Sequence, residues 1–83
     1  MTIQNFKIFL DLAKTLHFGK TSRNQFITPA TLTRLIQRLE QEVGSPLFER
    51  DNRSVSLTTS GYLFRDYCIR QIEDWESLQS NLN

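Results

Sequence analysis

Along the first sixteen positions the apolar residues fall at Ile3, Phe6, Phe9, Leu10, Ala13 and Leu16, three or four apart. That spacing lines one face of an α-helix over 3–16, and Thr2 is placed to hold a free backbone N–H as its N-cap. His17-Phe18-Gly19 interrupts the stripe, and a short helix then fits positions 20–25, with Phe26 and Ile27 as the next apolar anchors. Thr28-Pro29 is the clearest helix start in the chain: threonine caps, and proline at the first helical position gives up a donor that would be orphaned there anyway. Leu32, Leu35, Ile36, Leu39 and Val43 then share one side of a helix over 28–43. Gly44 suits a left-handed C-cap, and Pro46 prevents continuation.

Two short runs follow, 47–50 and 54–57, separated by Asp51-Asn52-Arg53, and they predict a β-hairpin. An isolated hairpin is marginal, so this one must lean on the helices. From Thr58 or Thr59 a last helix is expected to reach about position 81. Phe64, Cys68, Gln71, Trp75, Leu78 and Leu82 form its stripe, widened by Leu63, Tyr67 and Ile72. The expected fold is mostly α: a winged helix-turn-helix of three helices plus a two-stranded β-hairpin wing over 1–57, then a long linker and dimerisation helix over 58–83.

Composition narrows the classes. A chain of 83 residues that is 39% hydrophobic is one small globular domain, not a disordered segment. The single cysteine cannot close an intrachain disulfide, and no run approaches the roughly 20 apolar residues of a membrane span. The N-terminus lacks signal-peptide character, so a soluble cytoplasmic protein without membrane association is expected. Net charge is only +1, but its distribution is uneven: residues 20–53 carry +2 and residues 61–83 carry −2. A basic middle and an acidic tail fit a domain that offers one face to phosphates.

In a winged helix-turn-helix the second helix of the pair enters the major groove, and the hairpin tip lies against the backbone or minor groove. The residues suit those places. The solvent face of helix 28–43 carries Thr28, Ala30, Thr31, Thr33, Arg34, Gln37 and Arg38. Arginine pairs with guanine, glutamine with adenine, and Ala or Thr methyl groups pack on the thymine methyl. Asn52 and Arg53 at the hairpin tip suit a narrow minor groove. Read singly, these residues have plainer roles: Arg38 can pair with Glu42 four positions on, and Arg53 can be a turn arginine. Their conjunction favours nucleic acid. The competing class is a winged-helix protein-interaction module, in which Arg34 and Arg53 are solvated or meet an acidic partner.

The run from His17 to Gly61 resembles the DNA-binding domain of the LysR-type transcriptional regulators. The resemblance rests on Phe18, Thr28, Arg38-Leu39-Glu40, the Gly44-to-Arg50 segment GSPLFER, and Leu57-Thr58-Thr59-Ser60-Gly61. The stretches HFGK, TPATLTRLIQRLE and RDNRSVSLT are similar to the subgroup that activates acetohydroxy-acid isomeroreductase synthesis in branched-chain amino-acid metabolism. The resemblance implies double-stranded DNA with a pseudo-palindromic operator as partner. It places Pro29, Ala30, Thr33 and Arg34, with Gln37, at base edges, and Lys20, Thr28, Thr31, Arg38, Arg50, Asn52, Arg53 and Thr58 at phosphates or the wing contact. Apolar residues along the projecting last helix, Phe64, Cys68, Gln71, Ile72, Trp75, Leu78 and Leu82, predict pairing with a second copy, the alternative being that the stripe is covered by an effector-binding domain. The resemblance implies the homodimer and such a domain, which this chain does not include. No cofactor or metal is expected.

The chain departs from the family pattern at several positions. Thr21 and Ser22 stand where two alanines are usual, Gln25 where an apolar residue is, Pro29 where glutamine is frequent, and Leu35 where a polar residue is. Either Phe26 replaces the apolar anchor from the neighbouring position, or the second helix ends differently. Catalysis finds little support: His17 is the only histidine, and no Gly-rich phosphate loop, metal-ligand spacing or nucleophile motif occurs. Asp66, Glu73, Asp74 and Glu76 read as a solvated helix face.

Overall fold

The computed structural model describes residues 1–82, so position 83 of the expected dimerisation segment lies outside the described residues. Its elements follow the order α1 (Ile3–Thr15), α2 (Phe18–Asn24), α3 (Pro29–Val43), β1 (Phe48–Arg50), β2 (Val55–Leu57) and α4 (Thr59–Leu82). The long helix makes the molecule elongated, 47 × 27 × 19 Å.

Local chemistry sets most of these boundaries. Thr2 Oγ1 accepts the Asn5 N–H at 3.1 Å and starts α1. The helix ends one residue early, because Leu16 adopts a left-handed conformation (φ 53°) and becomes the exposed C-cap instead of a core residue. Helix α2 begins at Phe18, two residues before the expected start, because His17 is its N-cap: Nδ1 accepts the Lys20 N–H at 2.9 Å. That bond requires an unprotonated Nδ1 and assigns His17 a structural place. At the start of α3, Thr28 Oγ1 accepts the Thr31 N–H at 3.1 Å, and at its end Gly44 takes the left-handed conformation expected of it.

Phe9, Leu12, Leu32, Leu39, Leu47 and Cys68 are fully buried, and Phe6, Ile36, Phe48 and Phe64 complete the centre of the core. Phe9 meets Phe64 edge-on with ring centroids 4.8 Å apart, and meets Phe48 at 5.4 Å. One aromatic cluster thereby joins α1, the wing and α4. Thr21 and Ser22, the two departures from alanine, are buried with their hydroxyls satisfied. Thr21 Oγ1 lies 2.7 Å from Thr15 Oγ1, and Ser22 donates to the Gly19 carbonyl at 2.9 Å.

The expectation that Phe26 anchors the core is overturned. Helix α2 ends at Asn24, and Gln25 turns its amide onto Asp11 of α1, Nε2 to Oδ2 at 2.7 Å. Phe26 is left in the solvent at φ 57°, 95% exposed, while Ile27 packs on the core. The polar side chain at 25 thus satisfies Asp11 across the α1–α2 contact.

The wing is fastened to the body at three points. Glu40 Oε2 accepts the Leu47 N–H at 2.7 Å and the Phe48 N–H at 3.3 Å, tying α3 to the start of β1. Thr58 Oγ1 donates to the Pro46 carbonyl at 2.6 Å and caps α4 by accepting the Gly61 N–H at 2.9 Å. Gly61 itself lies so close to the Leu47 carbonyl oxygen that a Cβ there would collide with it. The strands pair antiparallel, Phe48 opposite Leu57 and Arg50 opposite Val55.

Candidate nucleic-acid interface

Helix α3 presents its polar face to solvent as two neighbouring stripes. Ala30, Thr33 and Gln37 fall at helical spacing on the side of the wing. Thr33 and Gln37 share a shallow groove with Phe18 and Arg50, so the structure brings base-reading and wing candidates together. Thr31, Arg34 and Arg38 line the opposite flank, beside Asn5 of α1. Arg34 Nη2 donates to Thr31 Oγ1 at 3.3 Å, and Thr31 in turn accepts from Thr28 Oγ1 at 2.9 Å. Pro29, Ala30, Arg34, Gln37 and Arg38 are exposed, whereas Thr31 and Thr33 are half-buried.

The tip of α3 is electropositive without any side chain. Backbone N–H groups of a helix's first turn have no carbonyl one turn back, and the macrodipole places partial positive charge there. Pro29 removes one donor and Thr28 Oγ1 satisfies that of Thr31, which leaves the Thr28 and Ala30 N–H groups at the tip without an intrahelical acceptor. The plainer alternative, Arg38 paired with Glu42, is absent among the described residues, where Glu42 lies 3.4 Å from the terminal ammonium of Met1. Arg38 remains available to an external anion.

At the wing, Asp51 Oδ1 accepts the N–H groups of Arg53 and Ser54, each at 2.8 Å, and the Asp51 N–H meets the Ser54 carbonyl at 3.1 Å. The Arg53 N–H, then that of Ser54, holds the Asp51 carboxyl below its ordinary value of 3.8. This Asx turn fixes the backbone while leaving the Asn52 and Arg53 side chains exposed. Arg50 is held in another way, its guanidinium 3.9 Å above the Phe18 ring. Stacking fixes the plane of the guanidinium and leaves its N–H edges open to a phosphate. Lys20 is exposed at the start of α2.

Three sequence-based assignments change. Thr58, expected at a phosphate, has spent its donors internally: its hydroxyl goes to Pro46 and its N–H to Leu47. Phe64 and Cys68, expected at a dimer surface, are buried in the protomer's own core. Gln71 and Ile72 are half-buried, while Trp75, Leu78 and Leu82 are exposed. Sequence reasoning missed Glu40 as a positioning residue. Glu40 entered the sequence reading only as part of the Arg38-Leu39-Glu40 motif, and the Leu47 and Phe48 N–H groups it holds are neighbours in space alone. Burial pushes the Cys68 thiol up to about 12, which makes it an inert apolar group.

Comparison with known proteins agrees with this geometry. The profile described as bacterial regulatory helix-turn-helix protein, lysR family, matches residues 3–62. The transcriptional activator IlvY of Salmonella typhimurium is 41% identical over 83 residues, all of this chain and 28% of the relative. The regulator IlvY of Escherichia coli is 40% identical over the same length. The chain therefore spans a little over a quarter of the curated relatives it matches. Among solved structures, the DNA-binding domain of BenM in complex with benA site 1 DNA superposes with a TM-score of 0.89 at 29% identity, covering 99% of this chain and 92% of that one. Full-length CbnR complexed with its target DNA superposes at 0.90 with 25% identity, covering 98% of this chain and 28% of that one. No described helix is long and apolar enough to cross a membrane. With two capped helices set for a groove, a wing pinned beside them and the family profile covering both, this chain belongs to the LysR family of bacterial regulatory helix-turn-helix proteins.

Proposed function

We propose that this chain is the operator-reading part of a transcriptional regulator, binding duplex DNA in a sequence-dependent, non-catalytic manner. Helix α3 enters the major groove, with Pro29, Ala30, Thr33, Arg34 and Gln37 toward base edges. Lys20, Thr28, Thr31, Arg38 and Arg50 meet phosphates, and Asn52 and Arg53 reach the adjacent minor groove. The observation that carries this reading is the exposed polar face of α3 and its open N-terminal tip, set beside a rigid wing whose arginine is exposed. The names of BenM and CbnR in complexes with DNA support it.

Two protomers pair through the exposed stripe of α4, chiefly Trp75, Leu78 and Leu82, and so match a pseudo-palindromic site. The acidic, solvated remainder of that helix lies away from phosphates. The parent protein is cytoplasmic, where its DNA is, and carries an effector-binding domain outside this chain. The IlvY names support target genes of branched-chain amino-acid synthesis.

The test is selection of bound duplexes from a random pool, followed by titration at several salt concentrations. Phosphate contacts make affinity fall steeply with salt. Arg34→Ala costs about 1–3 kcal/mol of binding and relaxes preference at one base pair. Lys20→Ala weakens all sequences alike. Failure to enrich any duplex, with affinity for an acidic protein surface instead, would overturn the reading in favour of an interaction module.

A further inference from the structure

Phe26 bears two costs, and its ring packs on no side chain among the described residues. Its ring is 95% exposed and its backbone sits at φ 57°, where an aromatic residue is disfavoured relative to glycine or asparagine. The segment that displays it is firmly tied. The Gln25 amide holds Asp11, the Phe26 N–H meets the Arg23 carbonyl at 3.3 Å, and the Ile27 N–H meets the Ser22 carbonyl at 3.0 Å. The ring is therefore a fixed apolar projection on the turn between α2 and α3. It stands two residues before the Thr28 cap, and its Cα lies at most about 11 Å from that of Pro29 even along extended chain.

We propose that Phe26 is an affinity-determining contact that packs its ring on an apolar group at the wall of the major groove. This rests on the reading that the tip of α3 enters that groove. Two apolar groups occur there, the C5-methyl of thymine and the carbons of deoxyribose, and phenylalanine is among the side chains that pack on the former. The contact neutralises no phosphate, so it adds affinity without adding to the salt dependence. Lys20, Arg38 and Arg50, placed at phosphates, have the opposite signature.

The experiment uses a duplex enriched by the unaltered chain, made with thymine and with deoxyuracil substituted at each thymine in turn. Phe26→Asn suits the left-handed backbone and removes the ring; its melting temperature stays equal or rises, because no buried contact is lost. Its affinity for the thymine duplex falls about tenfold with an unchanged salt slope, and Phe26→Tyr restores most of the loss. If one deoxyuracil substitution weakens the unaltered chain but not Phe26→Asn, the ring reads a methyl group. If no single substitution distinguishes the two proteins while the tenfold gap persists, the ring rests on sugar. Equal affinity of Phe26→Asn and the unaltered chain overturns this assignment and leaves the DNA-binding reading standing. A melting temperature lowered by several degrees marks the ring as structural and also overturns it. A chain that enriches no duplex overturns both readings.

Discussion

The two halves of α4 carry the same pattern and meet different fates. From Gly61 to Ile72 the apolar stripe lies on the body: Gly61, Phe64 and Cys68 are buried, and Phe64 stacks with Tyr67 at 5.9 Å while meeting Phe9 edge-on. Beyond Ile72 the same three-and-four spacing continues through Trp75, Leu78 and Leu82, yet those residues are 43%, 48% and 74% exposed. A helix of 24 residues is about 36 Å long and outruns the small body on which it starts. Periodicity therefore announces that a face needs cover without saying what provides it. In the proximal half the chain itself covers Phe64 and Cys68, while Tyr62, Leu63 and Ile69 beside them stay exposed; the distal stripe is the surface on which the proposed pairing of two copies rests.

Truncation separates the halves most sharply. Phe64→Ala removes a buried ring from the cluster joining α1, β1 and α4, and it lowers stability by about 3–5 kcal/mol in a denaturant titration. Trp75→Ala opens no internal cavity, so unfolding of the dilute monomer changes by less than about 0.5 kcal/mol. Its effect is on association: sedimentation shifts from dimer to monomer at tens of micromolar. If both variants destabilise the monomer alike, or Trp75→Ala remains dimeric, the division of α4 fails.

A smaller effect tests how closely the proximal half is fitted. Gly61→Ala drives a methyl group into the Leu47 carbonyl, and overpacking of this kind costs about 1–3 kcal/mol. The displacement falls on the segment that leads into β1, so it also loosens the wing and weakens DNA binding beyond what the stability loss explains. The matching distal change, Ser77→Ala, lies on exposed helix and raises stability by a few tenths of a kcal/mol through helix propensity. A neutral Gly61→Ala would show that α4 can slide on the wing.

What was legible follows the same line between local and distant causes. The caps at Thr2, Thr28 and Gly44 act within one turn, and both the α1 start and α3 fall where their residues place them. The hairpin turn was legible because Asp51 bonds two and three residues ahead. The outward turn of Phe26 was not, since Gln25 is settled by Asp11 fourteen positions earlier. Thr58 was misplaced for a similar reason: its partner, Pro46, is twelve residues away. Glu40 belongs with these, for its two acceptors' worth of bonding is spent on strand N–H groups seven and eight positions on. The polar face of α3 could be read from helical spacing alone, but its division between a wing side and an α1 side required the packed structure.

The last and smallest effect concerns the buried turn nearest the exposed half. Burial holds the Cys68 thiol up to about 12 against an ordinary 9.0, so the folded protein keeps it neutral where the unfolded chain ionises. Because the folded value is raised, the contribution to stability is constant below 9.0 and declines as pH rises from there toward 12. At pH 9.5 the decline amounts to about 1 kcal/mol by linkage. Cys68→Ala removes this alkaline loss, so the difference between the two proteins isolates it. A thiol reagent at neutral pH sharpens the contrast along the helix. Cys68 is modified only at the rate of unfolding, whereas the cysteine of a Trp75→Cys, Cys68→Ala double variant reacts at once in the monomer and slows as protein concentration rises and α4 is covered. Rapid labelling of Cys68 in the folded chain would place the boundary between the two halves one turn too far along.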